Sequence, residues 1–217
     1  MLAESKSFIN RRLHSLLGVI PVGAFLLNHL LTNYYATRGP EAFNEQVQWI
    51  QDLPFLLVLE TLFIFLPILY HGIYGVYIAF QAKNNVSSFG TFRNYMFMLQ
   101  RVTGLIAFVF IAIHVWQTRV QVALGNVETS ELSRLMADSL SNPLWMTLYL
   151  IGLIATVFHF SNGLWSFFVS WGITVGPRAQ RAMTYVCMVV FVLVSYVGVR
   201  AIFAFVDPQF IDQLASL

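Results

Sequence analysis

The chain has 217 residues, 58% of them apolar and 10% charged, with 20 Phe, nine Tyr and five Trp. A soluble domain carries about a quarter charged residues, so too little polar surface is left to cover a globule in water, and most of the protein faces lipid. A net charge of +2 from scattered basic residues excludes a nucleic-acid footprint. The sole cysteine, Cys187, excludes disulfide frameworks, cysteine-rich metal sites and C-x-x-C-H attachment within the chain.

The first twelve residues, with Lys6, Arg11 and Arg12, run straight into an apolar segment without a convincing cleavage site. That pattern reads as a retained first helix rather than a signal peptide. Five apolar stretches are long enough to cross a hydrocarbon core, which takes about 20 helical residues. They run approximately over 13–35, 53–82, 101–124, 143–171 and 182–206. Pro54 and Pro143 fall in or beside first turns, where a missing N–H is harmless. Pro21 and Pro67 are interior and predict kinks in the first two helices.

Between the first two spans, Phe43, Val47 and Ile50 recur at helical spacing among Glu45, Gln46 and Gln48, which predicts a short interfacial helix. The stretch 126–142 carries a weaker version of the same pattern. Lys6, Arg11, Arg12, Lys83, Arg93, Arg101, Arg178 and Arg181 occupy one set of alternating flanks. The other set holds Arg38, Arg119, Arg134 and Arg200 and eight of the ten carboxylates. Basic flanks stay in the cytoplasm, so the N-terminus is expected inside and the C-terminus outside. The fold class is all-α integral membrane, one membrane domain over 1–217, with no soluble domain.

Of five histidines, His29, His71, His114 and His159 fall one per helix on the first four spans, 42 to 45 residues apart. A lone intramembrane histidine is as often a helix–helix hydrogen bonder as a ligand. Four on successive helices are harder to dismiss, because intramembrane ionisable groups are costly. At ~1.5 Å per residue, His29 and His114 lie roughly 24 and 20 Å from the inner ends of their helices. His71 and His159, on helices running the other way, lie roughly 7–10 Å from the inner face. The two levels differ by on the order of 12 Å. A tetrahedral metal would gather its ligands at one level, and a proton relay would mix in carboxylates, of which only Glu60 lies within a span. Two bis-histidine haem b groups, stacked inside a bundle of helices one to four, fit the arrangement.

Small residues add to that reading. His71 and His159 each precede a glycine at i+4, Gly75 and Gly163, which would clear the ligand's own face for a flat macrocycle. Gly18 returns to the face of His29 at the depth of the inner pair. The competing reading is ordinary small-residue helix packing. His14, at the inner end of the first span beside Ser15, reads either as an interfacial residue or, with Ser15 and Arg101, as a donor to the propionates of the inner haem.

The segments Arg11-Arg12-Leu13-His14-Ser15-Leu16-Leu17-Gly18, Phe65-Leu66-Pro67-Ile68-Leu69-Tyr70-His71-Gly72-Ile73-Tyr74-Gly75, Leu99-Gln100-Arg101-Val102-Thr103-Gly104, His114-Val115-Trp116 and His159-Phe160-Ser161-Asn162-Gly163-Leu164-Trp165 together resemble one family. It is the cytochrome b558 anchor of bacterial succinate:menaquinone oxidoreductases, the single-subunit, two-haem type, and the likeness covers nearly the whole chain. The resemblance implies that His71 and His159 bind an inner, higher-potential haem and His29 and His114 an outer, lower-potential one. It implies a cytoplasmic flavoprotein that oxidises succinate, an iron–sulfur subunit, and menaquinone reduced near the outer face of a bacterial cell membrane, as part of the respiratory chain and tricarboxylic acid cycle. Asp52 and Glu60 are then the acid/base groups expected at the quinone site; their competing readings are a helix N-terminal carboxylate and an interhelical hydrogen bond. Di-haem fumarate reductases of this kind carry a glutamate two residues before the last haem histidine. Here that position is Val157, which favours the succinate-oxidising direction. The chain itself holds no succinate site, so its part is electron transfer and quinone reduction. Alternatives are an equivalent anchor for fumarate reductase or another quinone-linked dehydrogenase, and, in a different class, a haem-free transport or assembly bundle.

Overall fold

The computed structural model describes residues 2–216, with side chains from residue 7 onward, so the Lys6 side chain lies outside the described residues. The chain is all-α. Among the described residues, five helices are long and apolar enough to cross a membrane: Ser7–Arg38, Leu56–Gln81, Phe92–Ala123, Pro143–Ser170 and Gly176–Ala204. Side chains such as Leu57, Phe63, Leu69, Val109, Leu193 and Tyr196 are exposed along them, an apolar exterior that suits lipid and not water. The third and fifth helices begin earlier than their apolar runs predict. Helix continues until a breaker intervenes, whereas apolarity tracks the hydrocarbon boundary. Gly90 precedes the third helix, and the fifth opens at Gly176-Pro177.

Each expected kink takes a definite form. Helix Leu2–Val19 ends one residue before helix Pro21–Tyr34. Bonds from Ile20 N to Leu16 O (2.9 Å) and Ala24 N to Ile20 O (3.1 Å) carry the ladder across the break. At Pro67 the disturbance sits upstream, as a wide turn at Thr61–Phe65 in which Leu66 N reaches Thr61 O. The extra residue relieves the clash between the proline ring and the preceding turn. A second wide turn, Trp116–Val120, follows His114 without any proline. There Thr118 Oγ1 donates to His114 O at 2.7 Å, so a side chain competes for a ladder carbonyl. Pro54 precedes its helix, and Phe55 after it takes a left-handed φ of 57°.

Among the described residues, three short α-helices lie outside the spans. Pro40–Gln51 and Leu132–Ser141 fall where interfacial helices are expected. Pro208–Ala215 was not foreseen, although its start is written in the sequence. Asp207 is the N-cap, accepting from Gln209 N at 2.9 Å, and Pro208 takes the first helical position. Phe43 from the first short helix meets Phe205 edge-on at 5.1 Å, and Phe205 meets Phe210 of the third at 5.3 Å. Phe205 is among the most buried large side chains described. Its replacement by alanine is expected to cost about 3–5 kcal/mol, read as an earlier thermal unfolding midpoint and faster proteolysis of the C-terminal helix.

The chain divides into two compact units, each drawing on several helices. The first comprises 1–26, 57–106 and 155–192; the second comprises 27–56, 107–154 and 193–217. Eight Lys/Arg and two Asp/Glu belong to the first unit, four Lys/Arg and eight Asp/Glu to the second. The core of the second unit includes Tyr149, Leu153 and Ala201, and Gly198 leaves room for the Leu153 side chain, which a Cβ would meet at 2.6 Å.

Candidate functional site: two histidine pairs

In the first unit His71 and His159 face each other with ring centroids 6.0 Å apart and planes at 80°. Each ring is held from behind. His71 Nδ1 lies 2.9 Å from His14 O, and His159 Nδ1 lies 2.9 Å from Gln100 O. A carbonyl oxygen only accepts, so both Nδ1 atoms carry the proton and both Nε2 atoms keep a lone pair. Histidine ligands to metals are oriented in this way, the second nitrogen donating to a carbonyl or carboxylate.

The third and fourth spans are clasped around His159. Gln100 Nε2 donates to His159 O at 3.0 Å, and Asn162 Nδ2 donates to Gln100 Oε1 at 2.7 Å and to Met96 O at 3.1 Å. Glycines make room for the rings. A Cβ on Gly104 would lie 2.7 Å from His159 Cε1, and one on Gly18 would run into the imidazole of His71. The glycines at i+4 meet other groups: a Cβ on Gly75 would lie 3.1 Å from His14 Nε2, and one on Gly163 would lie 3.3 Å from Gln100 Nε2. Clearance beside the two imidazoles themselves thus comes from glycines on the neighbouring helices.

His14 stacks on His71, with centroids 4.1 Å apart and planes within 5°. Its Nε2 is buried without a hydrogen-bond partner, as are Arg101 Nη2 and Ser161 Oγ. The Arg101 guanidinium stands 3.4 Å over the Phe97 ring. Ser15 is half-buried on the first span. The unit therefore holds two converging imidazoles together with donors that lack acceptors, a set suited to a metal-centred group bearing carboxylates.

In the second unit His29 and His114 converge with centroids 5.6 Å apart and planes at 71°. The support here comes from side chains. Tyr149 OH lies 3.2 Å from His114 Nδ1 and donates to Gln117 Oε1 at 3.1 Å. Having given its proton to Gln117, the phenol oxygen accepts from Nδ1, which again leaves Nε2 with its lone pair. Phe110 packs on His114 at 5.9 Å and on Tyr149 at 5.3 Å, over Gly152, where any side chain would strike the Phe110 ring. Asn33 Nδ2 donates to His29 O at 2.8 Å and rests 3.4 Å from His29 Nε2.

First-row metal–imidazole bonds are about 2.0–2.1 Å long, so two rings on opposite sides of one ion stand with centroids about 6 Å apart. The His71–His159 pair is near that spacing, and the His29–His114 pair stands slightly closer. Asp52 is exposed and follows the first short helix as its C-cap, accepting from Gln48 Nε2 at 2.8 Å, so it is not the N-terminal carboxylate of the second span. It belongs to the unit of His29 and His114. Glu60 is half-buried at the wide turn of the second span and groups with the other unit. Tyr149, Gln117 and the Gln100–Asn162 clasp were not singled out from sequence as parts of a site. Asn162 is an amide inside an apolar run, a signal that was available; Gln100 stands one residue before the run over 101–124, and Tyr149 is one tyrosine among nine.

Residues 88–199 match the family described as the succinate dehydrogenase/fumarate reductase transmembrane subunit. Over 205 residues, 94% of this chain and 100% of the relative, the sequence is 53% identical to the succinate dehydrogenase cytochrome b558 subunit of Bacillus subtilis. With five apolar spans and a likeness of this extent, the chain belongs to the succinate dehydrogenase/fumarate reductase transmembrane subunit family.

Proposed function

We propose that the chain is a di-haem cytochrome b that anchors a succinate dehydrogenase in a bacterial cell membrane and delivers its electrons to menaquinone. The observation that carries this reading is the presence of two histidine pairs near bis-imidazole separation, one in each unit, each with a proton-bearing Nδ1 held by a fixed acceptor. His71 and His159 hold one haem b; His29 and His114 hold the other. Bound there, each haem supplies a one-electron carrier. Arg101, His14 and Ser15 donate to the propionates of the first, and the unpartnered Arg101 Nη2 and His14 Nε2 support that role.

The basic flanks support an N-terminus inside and a C-terminus outside, with those flanks on the cytoplasmic side. The flavoprotein and iron–sulfur subunits dock on that side. Menaquinone is reduced toward the opposite face, where Asp52 and Glu60 are the proposed proton donors. Proton uptake there lets the membrane potential assist an otherwise unfavourable reduction, by ~2.3 kcal/mol per charge per 100 mV. Val157 in place of a glutamate favours succinate oxidation over fumarate reduction.

The test is a reduced-minus-oxidised spectrum and potentiometric titration of the purified complex. Wild type is expected to show two b-type components. His71→Leu and His29→Leu are each expected to lose about half the α-band, the first the higher-potential component and the second the lower. A featureless wild-type spectrum sinks the haem assignment; loss of the same component in both variants sinks the pairing.

A further inference from the structure

The basic unit contains a cleft that the electron-transfer reading leaves without a role. It has a volume of about 490 Å³ and lies between the starts of the third and fifth spans, lined by Phe92, Arg93, Arg181, Thr184, Tyr185 and Met188. Two guanidiniums face it and no carboxylate lines it.

One of those guanidiniums is held in place by a network. Arg93 donates to Thr184 Oγ1 and stands 3.7 Å over the Trp165 ring. Trp165 Nε1 donates to Gln180 O at 3.0 Å, and Thr184 Oγ1 donates to the same carbonyl at 2.9 Å. Arg93 is thus fixed by the fourth and fifth spans together. A guanidinium has five N–H donors, and the Thr184 bond uses one of them. The remaining donors of the fixed Arg93, with the exposed Arg181 lining the same cleft, offer an anion seat of the kind that recognises phosphate.

Beyond Arg181 the same face of the fifth span turns apolar, at Tyr185 and Met188, with Phe92 beside Arg93. Phe92, Tyr185 and Met188 are 53%, 63% and 55% exposed. The whole lining, from Pro177 past the polar Gln180, Arg181 and Thr184 to Met188, runs roughly 16 Å along the fifth span at 1.5 Å per residue. A free phosphate would leave the apolar part uncovered. A protein partner docking on the ends of the helices would not extend along their lipid-facing side. A basic seat continuous with an intramembrane apolar groove fits an anionic amphiphile.

We infer that this cleft binds the phosphate of an anionic phospholipid on Arg93 and Arg181, with an acyl chain along Tyr185 and Met188. The test uses the intact complex, delipidated in detergent and titrated with phosphatidylglycerol, phosphatidylcholine or inorganic phosphate, with bound adducts counted by native mass spectrometry. Phosphatidylglycerol is expected to give one adduct that survives collisional activation, and phosphatidylcholine to give none of that stability. Inorganic phosphate is expected not to displace it. Arg181→Gln is expected to weaken it roughly five- to tenfold, the worth of one basic contact at a membrane surface, and Arg181→Lys to restore most of it. Met188→Glu, which places a carboxylate in the acyl groove, is expected to abolish it while the haem spectrum stays intact. Equal retention of the two lipids, displacement by phosphate, or indifference to both Arg181→Gln and Met188→Glu would overturn the assignment. So would a wild-type complex that holds no lipid once its dehydrogenase subunits are attached.

Discussion

A Gly18→Val chain is expected to reach the membrane, keep the lower-potential b-type component and lose the higher-potential one. Haem content falls from two per chain to about one. Gly18 is where the first span passes the His71 ring, and even a Cβ there overlaps the imidazole. The ring cannot swing aside freely, because its Nδ1 is bonded to His14 O and its other face is covered by the His14 ring. The ligand must therefore move or the helices must part. Gly104→Val is expected to act likewise through His159, whose ring is tied to Gln100 O. Gly163→Ala is the comparison: its Cβ meets only the end of the Gln100 side chain at 3.3 Å, and both components are expected to remain. Pyridine haemochrome content with a redox titration distinguishes these cases. Two intact components in both valine variants would show that the rings seen beside these glycines are not the ligands.

Tyr149→Phe is expected to raise the midpoint potential of the lower-potential haem and leave the other unchanged. The substitution removes a hydroxyl that accepts from His114 Nδ1 and donates to Gln117, within a side chain only 4% exposed. Without that acceptor the imidazole donates less electron density to its metal, and the ferric state is stabilised less. A neutral hydrogen bond is worth about 1 kcal/mol net; for a one-electron couple, where tenfold is 59 mV, that is a shift on the order of 40 mV. Ring packing against Phe110 survives in phenylalanine, so haem content is expected to hold and the potential alone to move. An unchanged potential, or an equal shift in both components, would remove Tyr149 from this role.

The five spans and their proline kinks were legible because lipid imposes a length and an apolarity that few other constraints imitate. The histidine pairs were legible for a related reason: an ionisable side chain in each of four spans stands out, and helix direction sorts the four by depth. The helix starts were less legible, since the third and fifth helices extend beyond the hydrocarbon into polar sequence. The wide turn after His114 carries no proline to announce it; its cause is a threonine hydroxyl, and most such threonines leave a helix straight. Pro208–Ala215 was legible in its Asp-Pro cap, yet eight residues beyond the last span fall outside any search keyed to membrane thickness. The supports behind the imidazoles were the least legible. His14 and Gln100 act through carbonyl oxygens, which any residue supplies, so their identity says nothing of that contact.

That last point bears on how the two centres can change over evolutionary time. An acceptor supplied by main chain is not removed by changing the side chain that accompanies it, and a displacement of ligand or helix is needed to alter it. An acceptor supplied by a phenol and relayed to an amide is one codon away from being lost, weakened or replaced. The pair behind His71 and His159 is thus set by architecture, whereas the centre at His114 carries an adjustable resistor. On the proposed function, lineages that meet quinones of different potential would retune that end by substitution at Tyr149 or Gln117.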